Sequence, residues 1–296
     1  MKNFDSFKEA VVNALGAIFE SAKVTTNKVT KNNSLVLEGV VIIAPNKNIS
    51  PTIYLNGFYE EYLNGRALED IVNTIVSIYK ESAPDMNFDV ESFTNWNRAK
   101  DNLIYCLVNY ERNIELLSQV PHIKFLDLAI IFKCLVSSDS NGSSTILVKN
   151  EHLAFWNISE GELYEVAKAN TPEMLPADLR NMLAVLMGMF DGNMLEEFDD
   201  ASEYPMYVLT NKTNFNGSAC ILYENVLKDF ADKIGSDFYI LPSSVHESIL
   251  LPTNSRMEKA ELKEMVESVN ATQVAPEDFL SDNVYYYDRE QQKITM

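Results

Sequence analysis

The chain has 296 residues, 46% hydrophobic and 23% charged, which is enough apolar content for one large or two medium folded cores and too much for a disordered chain. Its formal net charge of -19 opposes binding to the phosphate backbone of nucleic acids and docking on anionic membranes. No apolar run approaches the roughly 20 residues of a membrane span.

The charge is uneven: residues 1–50 hold six lysines against four carboxylates, and the acidic excess lies in the rest of the chain. A solvated acidic surface accounts for this. A basic partner, or self-association through the N-terminal segment, is the sharper alternative. Cys106, Cys134 and Cys220 are odd in number and each lies in an apolar run, as buried thiols of a reducing compartment do. The N-terminal residues carry acids and read as an amphipathic helix, not a signal peptide. A cytoplasmic protein is expected, with no nucleic-acid and no membrane partner.

Phe4, Phe7, Val11, Leu15 and Ile18 recur at helical spacing and predict a helix over residues 4–21. Lys23 to Ala44 reads as a hairpin turning at Lys31–Ser34, and Thr52–Leu55 as a short strand. A short helix follows, then a longer one carrying Leu68, Ile71, Val72, Ile75, Val76 and Tyr79, which Pro84 ends. Leu103–Val108 has the length of a strand, Asn113–Val120 that of a short helix, and His122 belongs to a turn after Pro121. The apolar run Phe125–Val136 pairs with Thr145–Val148 across a polar turn.

Ser159 and Glu162 form a capping box at the start of the next helix. Leu179, Met182, Leu183, Leu186, Met187 and Phe190 mark another helix. Residues 191–203 hold six acids and no bases and read as a linker or exposed loop. Tyr207–Asn211, Ala219–Tyr223, Tyr239–Leu241 and Val284–Tyr287 read as strands. Ser255 and Glu258 cap a helix carrying Leu262, Met265, Val266 and Val269.

The expected fold class is α+β, with antiparallel hairpins and sheets flanked by helices. Three segments share a spacing: Thr52–Ile53 leads to Tyr62 and Leu63, Thr145–Ile146 to Phe155 and Trp156, and Cys220–Ile221 to Phe230 and Ala231. They suggest pseudo-repeated units of strand, turn, strand and helix, although any hairpin followed by a helix looks alike. The expected subdomains are residues 1–100, 101–190 and 204–296, with 191–203 between the last two, or all of them in one compact unit.

The strings Val108–Asn113, Pro121–Ala129, Pro205–Asn211, Ala219–Tyr223, Asp237–Glu247 and Val269–Thr272 resemble a bacterial family of unknown function found in low-GC Gram-positive anaerobes. The resemblance covers most of the chain after about residue 30. It implies a bacterial cytoplasmic protein and brings no activity, ligand or cofactor with it.

Ser243, Ser244, Val245, His246 and Glu247 form the densest cluster of chemistry-bearing residues. In a strand, Ser244 and His246 would share a face and Glu247 would point the other way. A histidine beside a hydroxyl can activate a nucleophile, and one beside a carboxylate can take part in a metal site. The plainer reading has the serines capping a turn after Pro242 and His246 pairing with a carbonyl or with Glu247. Cys220 is either a nucleophile served by His246 or a small buried thiol. Ser243, Tyr207, Tyr239 and Asn211 are the remaining candidate binding residues.

His152 either faces a ligand with Trp156 or packs on its own helix. Tyr204, Tyr207, Tyr285, Tyr286 and Tyr287 either make an aromatic surface for a partner or fill a half-buried sheet. The zincin, nucleophile-elbow, P-loop and dinucleotide patterns are all missing, so no metal and no cofactor is expected. Two functions follow. The first is a binding or interaction role, with a protein partner or a small-molecule ligand. The alternative is a hydrolase or transferase using His246 with Ser244, Cys220 or Glu247.

Overall fold

A computed structural model describes residues 3–84, 87–139, 142–186, 205–253 and 257–296. The chain divides into two compact units, one ending at Val90 and the other beginning at Glu91, before the expected boundary at residue 100. The acidic stretch 191–203, Tyr204 and Ser255 lie outside the described residues.

In the first unit Asn3 accepts a hydrogen bond from the Ser6 amide and starts the helix Phe4–Ile18, which buries Phe7, Val11 and Leu15. Strands β1 (Lys23–Thr30), β2 (Val36–Ile43) and β3 (Thr52–Tyr54) form an antiparallel sheet in that order. The β1–β2 turn closes through Asn33 and Ser34, both at positive φ. Helices Asn56–Leu63 and Leu68–Ser82 follow. Ile71, Val72 and Ile75 of the longer helix pack with Phe7, Val11, Leu15, Val40, Ile42 and Ile53. Each such side chain contributes about 1.5–3 kcal/mol by leaving water. The longer helix stops at Ala83, whose extended backbone is the one a following proline favours.

The second unit contains two antiparallel sheets. In the first, β6 (Leu128–Asp139) has β4 (Leu103–Asn109) along one edge, and β5 (His122–Phe125) and β7 (Gly142–Leu147) along the other. His122 is therefore a strand residue rather than part of a turn. The tight turn falls later, at Leu126, whose φ is +55°. Helix Glu160–Met174, capped by Ser159 as expected, closes the outer edge of β4: the Tyr105 amide donates to Thr171 Oγ1 at 3.0 Å, and Asn170 Nδ2 donates to the Leu103 carbonyl at 3.2 Å.

The other sheet has six strands in the order β13-β12-β10-β11-β9-β8. These are β8 (Ala177–Asn181), β9 (Tyr207–Asn211), β10 (Phe238–Leu241), β11 (Ser248–Pro252), β12 (Tyr285–Asp288) and β13 (Lys293–Thr295). One face packs Tyr207, Leu209, Phe238, Ile240, Leu250, Tyr285 and Tyr287 into a core shared with Leu103, Tyr105, Phe132 and Leu163, beneath helix Val226–Ile234. The other face packs Leu241, Leu251 and Val284 on Leu262 and Val266 of helix Lys259–Thr272. The α+β class with antiparallel sheets flanked by helices is the observed one.

Three further local expectations are corrected. Leu179 lies in β8, because Ala177–Asn181 pairs with β9, and the helix of that region is only Met182–Leu186 where described. Ala219–Tyr223 is not a strand: Gly217–Leu222 is a buried 3₁₀ helix, so the third of the three similarly spaced segments lacks its second strand. Helix Lys259–Thr272 starts from Glu258 as its cap, with the Glu258 amide donating to Glu261 Oε2 at 2.9 Å. Of the two readings of the tyrosines, the half-buried sheet is the observed one among the described residues: Tyr207, Tyr285 and Tyr287 are buried, and Tyr286 alternates to the opposite face.

Candidate functional site

Three loops of the second unit converge at one end of the six-stranded sheet. The first is shaped by Asn211, which is fully buried. Its Oδ1 accepts from the Thr213 amide at 3.1 Å, the Thr213 hydroxyl at 2.8 Å and the Phe215 amide at 3.2 Å, and its Nδ2 donates to the Phe215 carbonyl at 2.7 Å. This folds residues 212–216 into a knot with Asn214 and Asn216 at positive φ, a conformation that asparagine tolerates better than most residues. Gly217 then passes so close to Thr210 Oγ1 and the His246 carbonyl that a Cβ would collide with both.

The second and third loops run side by side. The Val245 amide donates to the Asp278 carbonyl at 2.8 Å, the Leu280 amide to Ser243 O at 2.9 Å, and the Ser281 amide to Pro242 O at 3.0 Å. Residues 243–247 are therefore a loop, with one isolated bridge from Ser244 to Phe279 of the neighbouring loop, and the expected strand alternation of Ser244 and His246 does not apply. Ser244 Oγ accepts from the His246 amide at 3.0 Å, a turn-capping bond. Two further bonds pin the loop: Thr210 Oγ1 donates to the His246 carbonyl at 2.8 Å and Ser218 Oγ to the Val245 carbonyl at 2.9 Å.

The result is a fixed imidazole. His246 Nδ1 lies 3.0 Å from the Asn214 carbonyl and Nε2 lies 3.2 Å from Asp278 Oδ1. A carbonyl only accepts, so Nδ1 carries a proton, while Nε2 lies beside the Asp278 carboxyl group. The side chains of His246 and Asp278 are 34% and 36% exposed. Glu247, next in sequence, is half-buried; burial raises its carboxyl above the usual range and the neighbouring His246 pulls it back. Arg112 stacks on Phe279, 3.4 Å from the ring centre, at the edge of the cluster.

A model of a family of unknown function, DUF5688, matches residues 4–289, a span that includes all three loops. The chain belongs to DUF5688. No curated protein matches it. No solved structure matches it.

Within this DUF5688 chain the sequence-derived candidates separate. Ser243, Ser244, His246, Glu247 and Asn211 come together, Asn211 as the residue that shapes the loop and Ser243 through its backbone carbonyl. Cys220 does not join them by any hydrogen bond: its thiol is buried, donates to the Thr210 carbonyl at 3.1 Å, and is pushed by burial up to about 12. Tyr207 is a core residue whose ring meets Phe230 edge-on at 4.9 Å. Tyr239 lies on the opposite face of the sheet, against Tyr286 at 5.8 Å. Asp278 and Asn214 were not legible as site residues, since each lies 32 residues from His246 and no local pattern marks them.

His152 packs on Phe93 at 4.9 Å and its Nδ1 accepts from the Lys149 amide at 3.0 Å, so it helps to start its own helix. Among the described residues no group of three or more His, Cys, Asp or Glu side chains could hold a metal ion. No described helix is long and apolar enough to cross a membrane.

Proposed function

We propose that this protein acts by binding a polar ligand or a protein partner at the loop cluster around His246 and Asp278. The observation that carries this reading is where the imidazole is held. Both ring nitrogens are held by acceptors, and neither the Ser244 hydroxyl nor the Cys220 thiol bonds to the ring. A general base that activates a nucleophile needs that nucleophile within hydrogen-bond reach. What the cluster offers instead is a preorganised, half-open histidine–carboxyl pair built on three loops, the kind of rigidly supported polar group that orients a ligand.

The net charge of -19 supports a partner other than nucleic acid. The three free, buried thiols support the cytoplasm as its compartment. Glu247 favours a second reading. A half-buried carboxyl raised by its surroundings can stay protonated and serve as an acid beside a histidine, which would make the same cluster an acid–base site of a hydrolase or transferase.

A thermal-shift screen against divalent metals, nucleotides and common metabolites tests both, with His246→Ala beside the wild type. A ligand at about a hundredfold excess over its dissociation constant stabilises the folded state by about 2.7 kcal/mol. A shift seen in wild type and lost in His246→Ala supports the site. Equal shifts in the two proteins place binding elsewhere. Turnover of that ligand, abolished in Glu247→Gln while its thermal shift persists, would favour the acid–base reading.

A further inference from the structure

Helix Asn150–Trp156 starts on a hydrogen bond that a proton would break. The Lys149 amide donates to His152 Nδ1 at 3.0 Å. An imidazole nitrogen accepts only through its lone pair, so Nδ1 is bare and the proton of the neutral ring is on Nε2. In the doubly protonated ring, two N–H groups would face each other across that bond. A cation would also stand in the first turn of a helix, where the peptide dipoles oppose it. His246 is the contrasting case, because its Nδ1 already donates to a carbonyl and protonation leaves that bond in place.

The same ring holds a second segment. Phe93, in the short helix Val90–Thr94, meets His152 edge-on at 4.9 Å and Trp156 at 5.2 Å. Trp156 Nε1 donates to the Phe93 carbonyl at 3.0 Å. Trp96, in helix Trp96–Ala99, lies against Trp156 at 5.5 Å. The chain divides between Val90 and Glu91, so this cluster fastens the segment by which the chain enters the second unit.

The charges that act on the His152 ring are those of Glu151, whose Oε1 is 4.0 Å from Nε2, and Lys149. From Val90–Thr94 the ring meets Phe93, while Glu91 of that segment pairs with Arg98 at 3.8 Å. Burial holds His152 below its ordinary 6.5; Glu151 opposes that shift and Lys149 adds to it.

We infer that His152 is an acid-sensitive latch: neutral, it caps helix Asn150–Trp156 and holds Phe93; protonated, it releases the helix start and with it the entry segment of the second unit. The closed latch favours the neutral ring, so it holds above 6.5 and weakens as the pH falls below that value.

Hydrogen exchange of the full chain tests this, followed peptide by peptide at about pH 7.5 and about pH 5 and corrected for the intrinsic pH dependence of amide exchange. In wild type, residues 90–99 and 150–157 are expected to exchange about fivefold faster or more at the lower pH, the worth of one lost hydrogen bond, with helix Glu160–Met174 unchanged. His152→Gln keeps an acceptor at the third helical position without a titrating group, and is expected to abolish the rise. A rise of the same size in folded His152→Gln overturns the inference, and so does wild-type protection of both segments that does not change with pH. If His152→Gln does not fold, the nitrogen NMR shifts of the wild-type imidazole at neutral pH decide. A bare Nδ1 together with the wild-type rise supports the latch, and a proton on Nδ1 overturns it.

Discussion

Asp278 Oδ1 sits 3.2 Å from Nε2 of His246, although 32 residues separate the two in sequence. The pair joins the loop after β10 to the loop before β12, and through Nδ1 it also holds the Asn214 carbonyl. One ring thus ties three loops whose ends are set by different strands.

Removing that tie should cost little, because both side chains are about one-third exposed. Exposed ion pairs contribute roughly 0.2–1 kcal/mol. The neutral hydrogen bond to Asn214 adds about 1 kcal/mol. Urea denaturation should therefore show His246→Ala destabilised by about 1–2 kcal/mol and Asp278→Asn by less than about 1 kcal/mol. In a double-mutant cycle the two losses should not add, since Asp278→Asn has no partner left to lose once the ring is gone. Full additivity would mean that the side chains do not interact in solution.

Thiol chemistry should be silent in the folded state. Cys106, Cys134 and Cys220 are buried, and burial raises all three thiols, Cys134 to about 11 and Cys220 to about 12. The thiolate is the reactive form, so native protein at pH 8 should leave all three unlabelled by an aromatic disulfide reagent, and denatured protein should react with three equivalents. Rapid labelling of Cys220 in folded protein would reopen its role as a nucleophile.

How far the sequence reaches is visible in these same residues. Phe7, Val11 and Leu15 announce their helix because a one-sided apolar stripe has only one helical solution. Ser244 reads correctly as a turn cap, and His246 as the partner of a carbonyl, because those bonds are local or generic; Ser243 enters only through its backbone carbonyl. Which carbonyl, and the carboxylate of Asp278, depend on how β9, β10 and β12 are ordered in the sheet, and no local pattern encodes that order. Ala219–Tyr223 misleads for a different reason. A 3₁₀ segment buried on every side carries the same unbroken apolar run as a buried strand. The tyrosines at 285–287 do obey strand alternation; what alternation alone does not reveal is that the face of Tyr285 and Tyr287 is the core face.

Tyr286 and Asp237 should give stability a measurable pH dependence. The Tyr286 hydroxyl donates to Asp237 Oδ2 at 2.6 Å. That bond, with the Arg289 amide second, holds the Asp237 carboxyl below its ordinary 3.8, and the same carboxylate pushes the phenol up to about 12. A depressed carboxyl stabilises the fold above its unfolded value and loses that contribution as pH falls through its folded value. A raised phenol makes no pH-dependent difference below about 10, and costs stability as pH rises from there toward about 12. Thermal melts should therefore fall below about pH 4 and again above about pH 10, with Tyr286→Phe reducing both slopes. Parallel curves for wild type and variant at both ends would show that the pair does not form.

A second carboxylate makes the contrasting case. Asp127, in the turn between β5 and β6, accepts from the Ser281 hydroxyl at 2.6 Å, from Asn283 Nδ2 at 2.9 Å and from the hydroxyl of Tyr285, which is fully buried. Its own backbone carbonyl accepts from the Tyr110 amide at 2.9 Å. The turn of one sheet is thereby fixed to the strand entry of the other. Asp127→Ala strands a buried phenol and two further donors, and an unsatisfied buried donor costs about 1–3 kcal/mol. A total loss of about 3 kcal/mol is expected by chemical denaturation, clearly more than for Asp278→Asn at the open loop cluster. Tyr285→Phe removes one donor and leaves the carboxylate its other two, so about 1 kcal/mol is expected. The order of the three variants is the sharper test, because it depends on burial and not on the charge that all three positions share or contact. A loss for Asp127→Ala no larger than that for Asp278→Asn would mean that water reaches the Tyr285 hydroxyl and that the two sheets are not joined through Asp127.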